Sequence, residues 1–291
     1  MTEFKAIGLI TKPDDTRLED TVRLLLEYLH RRELEVAIDQ SAAILLQDTG
    51  LETVSRKEIA SRCDLAIVVG GDGTLLNAAR SLVEAGVAVL GINRGRVGFL
   101  ADISPAAMIQ QLDEILGGKY REDCRFLLQA QVRLGEEVIT EKPAVNDVVI
   151  HSQGMARVIE IETHIDGRYL NTLRSDGLII STPTGSTAYA LSGGGPILHP
   201  SLDAIVLVPV CPHTLSYRPI VIDAGSEIEI RLHAHNSAPA QISFDGQAGV
   251  ELTPDDQILI ARKAQRLRLI QPTGHDYFEI LRAKLRWSEQ P

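Results

Sequence analysis

Only three of the 291 residues are cysteine, one is tryptophan and 4% are aromatic, and nowhere do lysines and arginines gather into a basic run. Cys63, Cys124 and Cys211 are widely spaced, odd in number and without a Cys-x-x-Cys pair. Neither a disulfide framework nor a zinc site is indicated, and a reducing cytoplasm fits best. A net charge of -10 with no cationic cluster argues against nucleic acid or an anionic membrane as the partner. The longest apolar run, Ala204 to Cys211, is too short to span a bilayer and carries Pro209. The short apolar stretch Ala6 to Ile10 is followed by Lys12 and two aspartates, which is no signal peptide. No Gly-Lys-Ser or Gly-Lys-Thr occurs, so a Walker A loop is excluded. Gly185-Ser186 lacks the second glycine of a nucleophile elbow. His233 and His235 would share one strand face, but no third metal ligand stands at a suitable spacing.

What is present is a hydrophobic content of 44% with 23% charged residues, enough for two substantial cores. Residues 1–118 alternate strand-like and helix-like patterns, which predicts a Rossmann-like parallel sheet with crossover helices. Strands are expected at Lys5 to Ile10, Glu35 to Ile38, Leu65 to Val69 and Val87 to Gly91, with a helix carrying Leu18, Val22, Leu25, Leu26 and Leu29. Ser104-Pro105 reads as a helix start and Gly117-Gly118 as its stop. From Lys119 the period changes to two: Leu128, Ala130, Val132 and Leu134 alternate with polar residues, as do Ile159, Ile161, Thr163 and Ile165, and then Ile228, Ile230 and Leu232. Asp166-Gly167 and Asp245-Gly246 read as tight turns between extended runs. Residues 119–274 are therefore expected to form a β domain of two packed sheets. A helix within 275–291 completes the N-terminal domain.

The chain is organised around Leu65-Ala-Ile-Val-Val-Gly-Gly-Asp-Gly-Thr74. An apolar run suited to a strand buried on both faces ends in a glycine turn with Asp72 at its tip, and a helix pattern begins at once. Gly70, Gly71 and Gly73 leave bare backbone around the carboxylate, so a phosphate chain can approach the amides and the positive end of the helix. Asp-Gly is also an ordinary turn dipeptide, and the structural reading stands beside the functional one. Three further stretches carry chemistry. Asn146-Asp147 offers an amide and a carboxylate able to read a ribose diol and an adenine edge, or a plain turn before a strand. The hydroxyl-rich block Ser181 to Pro196 ends in three glycines and a proline; its hydroxyls and a helix start near Ser186 are expected to converge on a ligand, with Tyr189 packed on a planar base. Arg174-Ser175-Asp176-Gly177, with Arg157 upstream, offers forked donors for a phosphate or simply solvated arginines.

Taken together, Gly70-Gly-Asp-Gly-Thr74, Asn93-x-Gly-x-x-Gly-Phe-Leu100, Asn146-Asp147 and Thr182-Pro-Thr-Gly-Ser-Thr-Ala-Tyr-Ala-Leu-Ser-Gly-Gly-Gly-Pro196 resemble the bacterial NAD kinases, as do Ser243-Phe-Asp-Gly-Gln247 and the closing Tyr277 to Trp287. The Gly-Gly-Asp-Gly turn is shared with lipid kinases and phosphofructokinases; the Thr182 block is not. The resemblance implies an N-terminal α/β domain, a C-terminal β domain and a site in the cleft between them. It implies transfer of a phosphoryl group from ATP to the 2'-hydroxyl of the adenosine ribose of NAD+. Asp72 would be the proton acceptor, with Gly71 and Gly73 beside it. Asn146, Asp147, Asp176, Thr187, Ala188, Tyr189, Ala190, Leu191 and Ser192 would form the adenosine site, and Arg157, Arg174 and Gln247 would make further NAD contacts. Mg2+ or Mn2+ would come with the ATP, and a homodimer or homotetramer would form through the β domain. Arg96 and Val97 depart from the family, many members of which have Leu before Gly98. A lipid or sugar kinase, or a non-catalytic NAD(H) sensor, are the competing readings; no basic membrane-facing patch or effector module supports them.

Overall fold

The structure is a computed structural model that describes residues 4–13, 15–46, 50–95, 98–153, 158–233 and 239–287. The chain divides into two compact units, Met1–Cys124 with Leu267–Pro291, and Arg125–Arg266.

The first unit runs β1 (Ala6–Thr11), α1 (Glu19–Arg31), β2 (Glu35–Asp39), α2 (Gln40–Leu45), β3 (Thr53–Val54), α3 (Arg56–Arg62), β4 (Leu65–Val69), α4 (Asp72–Leu82), β5 (Ala88–Ile92) and α5 (Met108–Leu116). Every pairing among these strands is parallel, in the order β5-β4-β1-β2-β3. All five residues of β4 and of β5 are buried, as an unbroken apolar run predicts for a strand covered on both faces. Two short helices that hydrophobic period does not reveal are marked by their caps. Asp39 accepts the Ala42 N–H at 2.9 Å, and Ser55 and Glu58 form a reciprocal capping box ahead of α3. The helix expected from Ser104-Pro105 starts at Met108, because Ser104 Oγ accepts the Ala107 N–H at 3.3 Å and closes a turn first.

The second unit is built from β6 (Tyr120–Leu134), β7 (Glu137–Ala144), β8 (Asp147–Ser152), β9 (Ile159–Ile165), β10 (Arg168–Ser175), β11 (Gly177–Ser181), the one-turn helix α6 (Tyr189–Ser192), β12 (Ala204–Val210), β13 (Ile220–Asp223), β14 (Ile228–Leu232), β15 (Ala240–Phe244), β16 (Gln247–Leu252) and β17 (Asp256–Pro272). One antiparallel sheet has the order β13-β12-β11-β8-β15-β16; in the other, β10, β9, β14 and β17 are neighbours, with β6 pairing on β17 and β7 on β6. Alternate residues of both sheets, among them Val148, Ile150, Ile180, Ile242, Ile161, Ile230 and Ile258, fill one core. Asp166-Gly167 (φ 51 and 73) and Asp245-Gly246 (φ 48 and 71) are the left-handed pairs of two-residue hairpin turns. The chain returns to the first unit at Leu267, earlier than the expected 275, because the end of β17 extends the parallel sheet by pairing Arg268 with Ala88 and Leu269 with Val89. The final helix, α7 (Tyr277–Leu285), is capped by Asp276, whose side chain accepts the Phe278 N–H at 2.8 Å.

Candidate active site

In the first unit β1 leads to β2 on one side while β4 leads to β5 on the other, so strand order reverses between β1 and β4. Loops at the carboxyl ends of strands flanking such a reversal form the crevice where open α/β sheets bind ligands. The glycine turn after β4 lies there. Gly70 donates to the Ile92 carbonyl at 2.8 Å, and Gly71 is the N-cap of α4. A Cβ on Gly70 would meet Thr74 Oγ1 at 2.7 Å, whereas Cβ atoms on Gly71 and Gly73 would meet nothing within 4 Å. Gly70 therefore serves the packing of the turn itself, and only the other two present open backbone.

Asp72 turns its carboxylate toward the loop after β5. Its Oδ2 accepts the Phe99 N–H at 2.9 Å, and its Oδ1 accepts those of Leu100 and Ala101, both at 3.1 Å. A Cβ on Gly98 would lie 2.1 Å from Oδ1, so only glycine lets the loop come this near. Three of the carboxylate's roughly four lone-pair positions are engaged, and the vacant one is on Oδ2. Asp72 borders a cavity of about 570 Å³ that also contains Arg17, Arg94 and Lys284. None of these three was singled out from sequence as a site residue. Arg17 and Arg94 share Asp15, a buried carboxylate placed between two cation-bearing loops.

In the second unit a cavity of about 640 Å³ is bordered by Asn146, Asp147, Asp176, Ala188, Tyr189 and Asp245, together with Val149, His151, Ser152, Val210, Ser243 and Gly246. That volume is within the ordinary range for a small-molecule site. The loop ahead of β8 is gripped from both sides. Asp245, at the tip of the β15–β16 hairpin, accepts the N–H groups of Val145, Asn146 and Asp147 at 3.1, 2.7 and 3.2 Å. From the end of β11, Thr182 donates its N–H to Asn146 O at 2.9 Å and its hydroxyl to Val145 O at 2.6 Å. Asp147 is 3% exposed, and burial, followed by the neighbouring Asp245 charge, pushes its carboxyl up to about 7. A carboxyl poised at that value can switch between accepting and donating at neutral pH.

The hydroxyl-rich block departs from expectation. Ser181 Oγ donates to Asn146 O, Ser186 Oγ donates to Pro183 O and accepts the Leu198 N–H, and Thr184 Oγ1 accepts from Arg125. These side chains are buried, so each must find an internal partner, and they hold the block together instead of converging on a ligand. Nor do Gly193 and Gly195 wait for a ligand: added Cβ atoms would lie 2.9 and 2.8 Å from Val208 side-chain carbons, so both let the turn lie against β12. Ala190 is fully buried with Val149, Ile179, Leu198, Val206 and Val208 in a small core on the outer face of the sheet. The block thus presents only Ala188 and Tyr189 to the cavity; Thr187, Leu191 and Ser192 stand beside them without bordering it. Asp176 does border it. Arg174 is exposed and paired with Glu160 at 3.1 Å, and Gln247 is exposed next to Gly246. Arg157, like Arg96, Val97 and His235, lies outside the described residues. Among the described residues no group of three or more His, Cys, Asp or Glu is arranged to hold a metal ion, and no helix is long and apolar enough to cross a membrane.

Comparison with known proteins places this geometry in a family. Residues 7–120 match the ATP-NAD kinase N-terminal domain and residues 145–271 the ATP-NAD kinase C-terminal domain. The chain is 50% identical over 287 residues to an NAD kinase of Nitrosococcus oceani, covering 99% of this chain and 98% of the relative. It is 51% identical over 291 residues to that of Chromohalobacter salexigens, covering 100% and 99%. Among solved structures, yeast NADH kinase complexed with NADH superposes with a TM-score of 0.90 at 24% identity, covering 100% of this chain and 90% of the yeast chain; it shares the fold. An NAD kinase from Archaeoglobus fulgidus in complex with ATP superposes with a TM-score of 0.76 at 26% identity, covering 97% and 98%. With both domain matches and full-length relatives at half identity, the chain belongs to the ATP-NAD kinase family.

Proposed function

We propose that this chain transfers the γ-phosphoryl group of ATP to the 2'-hydroxyl on the adenosine ribose of NAD+, releasing ADP and NADP+. The observation that carries the assignment is Asp72: a carboxylate on bare backbone at the reversal of strand order, fixed by three amides and left with one lone pair on Oδ2. In the reaction the ribose 2'-oxygen bonds to the γ-phosphorus, the bond from that phosphorus to the β,γ-bridging oxygen breaks, and the hydroxyl proton passes to Asp72. Phosphoryl transfer runs through a loose transition state, so the proton can leave late and the base need only be well placed. Positioning and neutralisation of phosphate charge supply most of the rate. The divalent cation, Mg2+ or Mn2+, enters as part of the nucleotide substrate.

The adenosine half of NAD+ takes the cavity of the second unit. Asn146 and Asp147 hold the ribose and adenine edges, with Asp176 bordering the same cavity. Ala188 and Tyr189 pack on the base, with Thr187, Ala190, Leu191 and Ser192 completing the adenosine site beside them. Arg157, Arg174 and Gln247 meet the remainder of the dinucleotide. The protein works in the cytoplasm as a homodimer or homotetramer joined through the second unit, where the edge strand β13 exposes Ile220 and Val221; a monomer by light scattering refutes that assembly. The activity is tested by supplying ATP, Mg2+ and NAD+ and reading NADP+ with an NADP-specific dehydrogenase. Absence of NADP+ refutes the assignment.

A further inference from the structure

We propose that Arg17, Arg94 and Lys284 form the cationic wall that holds the phosphate chain of the donor nucleotide, and that Asp15 is the positioning residue that ties the two arginines together. The proposal deepens the kinase reading above and rests on it. The three cations come from separate parts of the chain: Arg17 from the 3-10 turn after β1, Arg94 from the loop after β5, and Lys284 from the last turn of α7. They meet in one cavity with Asp72 and Gly71. In a chain of net charge -10, three positive side chains gathered about one carboxylate of the phosphoryl-transfer turn form an anion site by charge alone.

Asp15 gives that wall its order. Its side chain is 4% exposed, and it accepts from Arg17 Nε at 2.8 Å and Arg17 Nη2 at 3.1 Å, while its Oδ2 also accepts from Arg94 Nη1. Hydrogen bonding from Arg17, against the opposing effect of burial and with help from Arg94, holds the carboxyl down to about 2, so it stays ionised throughout the working pH range. One carboxylate thus neutralises one of two guanidiniums and fixes the direction of both. Asp15 engages two of Arg17's five N–H donors, so the guanidinium keeps donors for phosphate oxygens. The open backbone at Gly71, the N-cap of the 11-residue helix α4, borders the same cavity and brings the positive end of the helix dipole to it. A cavity of about 570 Å³ has room for a phosphate chain.

Arg94→Ala, Lys284→Met and Asp15→Asn are compared with the unmodified chain in steady-state assays that vary ATP and NAD+ separately. Inorganic tripolyphosphate serves as the probe, as a competitive inhibitor and directly by titration calorimetry. Arg94→Ala and Lys284→Met are expected to lower kcat/KM for ATP by about 10²–10³-fold, with the NAD+ KM changed less than about threefold. Tripolyphosphate binding should weaken in both. Asp15→Asn should raise the ATP KM and weaken tripolyphosphate in parallel while leaving inhibition by adenosine unchanged, a split that general loosening of the fold does not produce. Lys284 is exposed on α7, so its variant keeps the test decisive if Asp15→Asn fails to fold. Unaltered ATP kinetics and unaltered tripolyphosphate binding in Arg94→Ala and Lys284→Met overturn the proposal, as does an equal rise in both substrate KM values. If the unmodified chain makes no NADP+, the kinase reading fails, and the calorimetric comparison still decides whether these residues form an anion site.

Discussion

Replacing Asp147 by asparagine tests whether the floor of the second-unit cavity carries a proton at neutral pH. The carboxyl rises from an ordinary 3.8 to about 7 through burial and then through the nearby Asp245 charge. A raised carboxyl binds its proton more tightly in the folded chain than in the unfolded one. Stability therefore falls as pH climbs from the unfolded value to the folded value, and levels off above it. The full cost of holding Asp147 ionised is about 4 kcal/mol at alkaline pH, of which roughly 2.5 kcal/mol develops between pH 5 and 8. Asparagine has the same shape and no proton to lose. In ligand-free urea unfolding at a series of pH values, the stability of Asp147→Asn relative to the unmodified chain should grow by about that amount across the window. Any constant offset from the amide itself cancels, because the slope is what is read. Parallel stability curves from pH 5 to 8 would refute the argument, since they would mean that Asp147 titrates alike in both states.

Three further substitutions test other parts of the structure. Asp72→Asn should lower kcat by about 10²–10⁴-fold with the NAD+ KM within several fold, and undiminished turnover would remove Asp72 as the base. Gly98→Ala places a methyl carbon 2.1 Å from Asp72 Oδ1, so the carboxylate or its loop must shift; kcat should drop about 100-fold, and normal turnover would show that the three amide contacts do not aim the acid. Gly249→Ala puts a carbon 1.6 Å from the Ile242 carbonyl oxygen, at the register shift between β15 and β16. It should cost about 3 kcal/mol or more, read as a lowered Tm, and an unchanged Tm would mean that this pairing bends freely.

Local rules recovered much of the frame. The run Leu65 to Val69 could only be a strand covered on both faces, because it offers water no polar side chain on either. Asp166-Gly167 and Asp245-Gly246 announced hairpins because their backbone tolerates the left-handed region that such turns need. The period-two stretches Ile159 to Thr163 and Ile228 to Leu232 alternate in burial as written, while Ile165, beside the Asp166-Gly167 turn, is only half-buried. Helices α2 and α3 escaped this reading because they are too short to show a period, although Asp39 and the Ser55–Glu58 pair marked their starts.

The candidate site was legible as residue types and much less as roles. Asp72 borders one cavity and Asn146, Asp147, Asp176, Ala188 and Tyr189 another, while the serines and threonines of the 181–187 block turn inward. Whether a hydroxyl faces a ligand or a carbonyl depends on burial, which a string of residues does not state. The convergence of Arg17, Arg94 and Lys284 on one cavity is likewise absent from any local pattern, since neighbours along the chain say nothing about loops joined across a sheet. The amino-acid order alone determined strands, turns, the glycine-bared carboxylate and the family, because these follow from side-chain period, backbone freedom and motif. Only the tertiary structure decided that Asp147 lies beneath the charge of Asp245, 98 residues away, and that Asp15 ties two arginines together, because electrostatic partners are chosen by distance in space.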